Sequence, residues 1–94
     1  MPPGSAKTLH HRETARFRRV VSVLARHAKE LRAARGWTIE AAAERFGIEP
    51  AHVRRIESGS ANPSLAVLTS VAAAFGLSVS ELLSAKDAAK SGRR

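Results

Sequence analysis

The chain of 94 residues has no cysteine, which removes both a disulfide framework and a thiolate zinc site. Helix packing alone must then hold the fold together. Long apolar runs are missing as well. Nothing approaches the roughly 20 consecutive apolar residues that span a bilayer, and no apolar stretch near the N-terminus leads to a secretion-type cleavage site. A soluble, cytoplasmic protein with no membrane contact is expected. Constellations that carry chemistry are also scarce. No nucleophile, base and orienting group stand together, no glycine-rich phosphate loop occurs, and carboxylates do not recur at metal-ligand spacing. His10 and His11 are adjacent and form a weak metal site at best. The expectation is a protein that is not an enzyme and uses no metal or cofactor.

Positive charge is plentiful. The net charge of +8 points to a polyanionic partner, and its distribution is more informative than its sum. Residues 1–37 hold nine Lys/Arg against two acids, residues 38–83 hold three against five, and residues 84–94 hold four against one. The ends read as electrostatic arms, so a nearly balanced middle must draw specificity from a few placed side chains. A chain this short supports one hydrophobic core.

Residues 1–13 combine Pro2, Pro3, Gly4 and Ser5 without an apolar period and are expected to be a disordered basic arm. Residues 14–83 then read as one all-helical domain, followed by a flexible basic tail over residues 84–94. In residues 14–35, Phe17, Val20, Val21, Leu24, Ala28 and Leu31 fall on one stripe, with Arg18, Arg19, Arg26 and Lys29 opposite. Such a helix can lie on a membrane surface, but a core-facing first helix is the commoner outcome when further amphipathic helices follow. Gly36 stops it. Thr38 caps a short helix, Ile39–Phe46, and Gly47 breaks that one. Pro50 suits the first turn of a third helix that Gly59 ends. Ser64 opens a fourth helix carrying Leu65, Leu68, Val71, Ala72 and Phe75, and Ser78 with Glu81 forms a capping box for a short fifth.

Two short helices can cross at a steep angle only if the turn between them bends sharply and the residues at the crossing are small. Over residues 39–58 the fifth position is Ala43, the ninth Gly47 and the fifteenth Val53. Ala43 lets the helices touch, Gly47 gives the turn its conformational freedom, and Val53 packs beneath the second helix. Those offsets, with the stretches LARHAKELRAARGWT, TIEAAAERFGIEPAHVRRIESG and NPSLAVLTSVAAAFGLSVSELL, make residues 24–83 resemble the phage-repressor/Cro-type (XRE) helix-turn-helix family. The Ser-Gly after Glu57 followed by Asn-Pro-Ser-Leu is characteristic of that family.

The resemblance implies a five-helix lambda-repressor-like domain, here with an extended N-terminal first helix, and a cytoplasmic transcriptional regulator. It further implies a repressor acting as a homodimer on a palindromic operator in double-stranded DNA. Carried over by position, Pro50, Ala51 and Arg55 face base edges, with His52 and Arg54 beside them. Arg55 is the sharpest candidate, because a guanidinium can bond guanine O6 and N7 together, worth roughly 1–3 kcal/mol of discrimination. Arg54 is a second base-reading candidate. Phosphate contacts fall to Thr38, His52, Ser58, Ser60 and Asn62, supplemented by Arg18 and Arg19 of the first helix. Arg32 and Glu57 match an ion pair that fixes the motif's orientation in relatives. Two departures stand out. Ile39 replaces a common Gln, so docking on the backbone is expected to be shifted or weaker, and Ala42 replaces a common Leu, leaving space that Trp37 is a candidate to fill.

The rival reading is an antitoxin-like adaptor that binds DNA while its N-terminal extension holds a protein partner. Phe17, Val20 and Val21 lie about two turns before the family resemblance begins, and an apolar stripe needs a surface to cover. The expectation is that they add to a homodimer contact or hold a partner. The alternative is that Phe17 and Val20 pack on the fifth helix of their own chain.

Overall fold

The computed structural model describes residues 14–85, which form five α-helices and, among the described residues, no strand. α1 spans Ala15–Ala34, α2 Ile39–Phe46, α3 Pro50–Ser58, α4 Leu65–Ala74 and α5 Val79–Leu82. The sequence-based arms over residues 1–13 and 86–94, with His10 and His11, lie outside the described residues.

Each helix starts where a side chain can satisfy its first amides. Thr14 Oγ1 accepts from Phe17 N at 3.1 Å, Thr38 Oγ1 from Ala41 N at 3.0 Å, and Ser64 Oγ from Val67 N at 3.1 Å. Ser78 and Glu81 complete a reciprocal box, with Glu81 N on Ser78 Oγ at 3.1 Å and Ser78 N on Glu81 Oε1 at 2.9 Å. α3 is the exception. Its N-cap residue, Glu49, makes no capping hydrogen bond, and Pro50 instead removes one amide that would need a partner. Gly59 closes α3 at φ +80. A Cβ there would sit 3.8 Å from Val21 Cγ1, an ordinary contact, so the left-handed backbone and not crowding calls for glycine.

α1 packs on α3 and α5, α2 on α3 and α4, and α4 on α5. The stripe of α1 delivers Val21, Leu24, Ala28 and Leu31 to the interior, where Val53, Ile56, Val71 and Leu82 are all but sealed from water. Burying a side chain of this kind stabilises the fold by roughly 1.5–3 kcal/mol. Trp37 leans on this core from the α1–α2 turn. Its ring stacks on Phe75 at 5.5 Å and 11° and meets Phe46 edge-on at 6.5 Å, while the Arg45 guanidinium lies 4.4 Å from its centroid.

The N-terminal turns of α1 depart from the expectation that this stripe packs on α5. Val21 is buried beside Gly59, Phe17 is half-buried and lines an open groove with residues 58–62 of the α3–α4 loop, and only Val20 of the three is substantially exposed, at 43%. That loop lies beside α1 because Gly59 turns the chain back under it. What reaches α5 from α1 is His27, which is 1% exposed and sets Nδ1 2.8 Å from the Leu82 carbonyl oxygen.

With Nδ1 donating to that carbonyl, Nε2 is left buried without a partner. His27→Leu removes one hydrogen bond and strands the carbonyl, but it also removes an orphaned nitrogen, and these terms offset. The expected net loss is within about 1 kcal/mol, a fall in thermal midpoint of no more than about 8 °C for a domain of this size. A much larger fall by differential scanning fluorimetry would show that Nε2 has a partner in solution.

Candidate nucleic-acid interface

The crossing of α2 and α3 rests on the three residues at the motif offsets. Ala43 is 2% exposed and Val53 1%, and Gly47 takes φ +73, from which its N–H reaches Ala43 O at 2.9 Å. The Ile48 amide also returns to Ala43 O, at 3.1 Å, which tightens the turn. α3 is thereby held with Val53 and Ile56 inward. Its outward face carries Ala51, Arg54, Arg55 and Ser58, all exposed, at spacings of three and four residues that align them in one row. Pro50 and His52 flank that row, half-buried.

The two arginines of the row differ. Arg55 makes no side-chain hydrogen bond or ion pair among the described residues, whereas Arg54 Nη2 donates to Glu40 Oε2 at 3.1 Å. Arg55 is anchored through its main chain instead. Its carbonyl accepts from Ser60 N at 3.0 Å and from Ser58 Oγ at 3.1 Å, and the Ser58 and Ser60 hydroxyls lie 2.9 Å apart. Residues 58–62 thus form a compact loop beyond the row, with Asn62 exposed. Across an open groove of about 580 Å³ this loop faces Arg18 and Ser22 of α1. Arg19, like Arg18, is exposed. Thr38 caps α2 and stays exposed, while Ile39 is half-buried against the core and offers no polar group to a phosphate.

Behind the row, Arg32 of α1 grips Glu57 of α3. Arg32 Nε and Nη2 donate to Glu57 Oε2 and Oε1 at 2.6 and 3.1 Å, and Arg32 Nη1 donates to Trp37 O at 2.8 Å. The Arg32 side chain is 19% exposed and that of Glu57 9%. Hydrogen bonding to Glu57 holds the Arg32 guanidinium above its ordinary pKa, opposed by desolvation and reinforced by the carboxylate's charge. α3 is therefore clamped at its C-terminal end to both α1 and the α1–α2 turn.

Three contacts of this region escape the sequence reading: His27 on Leu82, Glu40 on Arg54, and Arg35 Nη2 on the Phe75 carbonyl at 3.1 Å. Only His27 left a signal. It falls three residues after Leu24 and four before Leu31, inside the apolar stripe.

Five helices around a buried crossing, with a polar outward row on the second helix of the pair, define a helix-turn-helix domain. A family model described as Helix-turn-helix matches residues 29–82. The chain belongs to the phage-repressor/Cro-type (XRE) helix-turn-helix DNA-binding family. Its structure is similar to the crystal structure of the clp gene regulator ClgR from Corynebacterium glutamicum, with a TM-score of 0.64 and 30% sequence identity. The match covers 79% of this chain and 77% of that one. Comparison with curated proteins gave no match. Among the described residues, no helix is long and apolar enough to cross a membrane.

Proposed function

We propose that this chain is a transcriptional regulator that reads double-stranded DNA sequence through the outward row of α3. In this reading it is a cytoplasmic repressor acting as a homodimer on a palindromic operator, with no catalytic role. The observation that carries the reading is the Arg55 guanidinium. It is exposed on the recognition row, unengaged among the described residues, and held at its backbone by the Ser58 and Ser60 contacts. Arg55, Ala51, Pro50 and Arg54 would meet base edges. Thr38, His52, Ser58, Ser60, Asn62, Arg18 and Arg19 would meet phosphate, with the basic ends of the chain adding attraction that does not depend on sequence. The Arg32–Glu57 clamp would keep α3 at a fixed angle to the duplex.

Selection of duplexes from a random library tests this reading, because a homodimer predicts two inverted half-sites about one helical turn apart. Arg55→Ala is expected to relax preference at one base pair per half-site by about 1–3 kcal/mol. Arg18→Ala or Arg19→Ala should weaken all sequences alike. Equal weakening of every duplex by Arg55→Ala would make Arg55 a phosphate contact. The adaptor reading has less apolar surface to draw on, because Val21 is buried and only Val20 and the half-buried Phe17 remain on the first turns of α1.

A further inference from the structure

The Arg54–Glu40 pair differs from the Arg32–Glu57 clamp in its setting. Its side chains are 58% and 66% exposed, and an ion pair in water adds only about 0–1 kcal/mol to stability. Its position is less neutral. Arg54 stands in the outward row of α3, and Glu40 lies in the first turn of α2, at the edge of the same face. A carboxylate there opposes an approaching phosphate backbone. Glu40 therefore gives the fold little, and a carboxylate at this edge works against phosphate, which leaves its contact with Arg54 as the effect to explain.

We propose that Glu40 is a specificity-determining positioning residue that holds Arg54 for a base edge and denies it to phosphate. This rests on the reading of α3 as the recognition helix. A guanidinium carries five N–H donors, two of them on Nη2. Glu40 takes one, leaving four, the other Nη2 hydrogen, both on Nη1 and the one on Nε, for a partner beyond α2. A long arginine side chain otherwise loses rotamer freedom on binding, and the contact to Glu40 restricts it before DNA arrives. The remaining fork matches the paired acceptors of guanine, O6 and N7. Released from Glu40, the same guanidinium can swing to any nearby phosphate, which binds every sequence equally. The carboxylate narrows the choice further. As an acceptor only, it disfavours the O6, O4 and N7 acceptors of neighbouring bases and tolerates the cytosine amino group.

The test compares wild type, Glu40→Gln, Arg54→Ala and the double variant of the full chain. Each is put through selection from a random duplex library, titration with an unrelated duplex, and thermal unfolding. Wild type should enrich a motif. Glu40→Gln should lower discrimination by up to about fivefold at the same base pair that Arg54→Ala affects, and raise affinity for the unrelated duplex several-fold. Its thermal midpoint should stay within a few degrees of wild type. In the Arg54→Ala background, Glu40→Gln should change that base pair no further. An unchanged motif in Glu40→Gln would overturn the proposal while leaving the recognition helix intact. So would a loss spread evenly over the motif with a lower thermal midpoint, which would assign Glu40 to the stability of α2. A wild type that enriches no motif would sink the recognition-helix reading and this proposal with it.

Discussion

Binding of this chain to duplex DNA is expected to weaken by about 10³-fold when monovalent salt rises from about 50 to 200 mM, as for proteins that neutralise around six phosphates. The charge distribution supports this magnitude. The excess of 16 Lys/Arg over 8 Asp/Glu is carried outside residues 38–83, where acids outnumber bases, so attraction comes from α1 and the chain ends. Neutralised phosphates release counterions, and the logarithm of affinity falls linearly with the logarithm of salt. Fluorescence anisotropy of a labelled duplex across a salt series measures the slope. A flat response would remove the electrostatic part of the binding account, even if a selected sequence were still preferred.

The second large effect concerns the clamp behind α3. Arg32→Ala should cost about 2–4 kcal/mol, somewhat below a fully buried pair because part of Arg32 remains in water. For a domain of this size that is a fall in thermal midpoint of about 8–30 °C. The loss has two sources. The Glu57 carboxylate, nearly buried, is left without its two donors, and the Trp37 carbonyl loses the Nη1 hydrogen. Arg32→Lys keeps the charge but lacks the planar fork, so it should recover only part of the loss. A guanidinium whose pKa is raised on folding contributes stability below its unfolded pKa and loses it only as pH rises through the folded one. Arg32 thus stays charged throughout the neutral range, and its own titration should leave the deficit unchanged between about pH 6 and 9. Arg32→Met as stable as wild type would show that the pair adds nothing net over apolar packing.

Signals that act within one or two turns are legible in this sequence. Thr38, Ser64 and the Ser78–Glu81 box start helices because a side chain reaches an amide three residues away, and Gly47 and Gly59 end them through a backbone angle that other residues adopt at a cost. The outward face of α3 is legible only in part. The family resemblance places Pro50, Ala51 and Arg55 there with Arg54 beside them, whereas the helix aligns Ala51, Arg54, Arg55 and Ser58 and leaves Pro50 half-buried at the flank. Contacts that depend on how helices cross are not legible in that way. His27 and Leu82 are 55 residues apart, and Glu40 and Arg54 are 14 apart. Periodicity marked Val21 as apolar but could not say which surface would cover it. The answer, residues 58–62, depends on the direction in which Gly59 sends the chain.

The packing of Trp37 gives the protein an internal optical gauge. It is the one tryptophan in the chain, and its ring is fixed by Phe46 of α2, by Phe75 at the end of α4, and by the charge of Arg45. These neighbours come together only when the α1–α2 turn, α2 and α4 dock, so emission from this indole follows tertiary assembly and not the formation of any single helix. None of the ring contacts involves α3. A spectral change on unfolding and a steady signal during DNA titration would therefore separate loss of the scaffold from occupation of its recognition face, with no label attached to the protein.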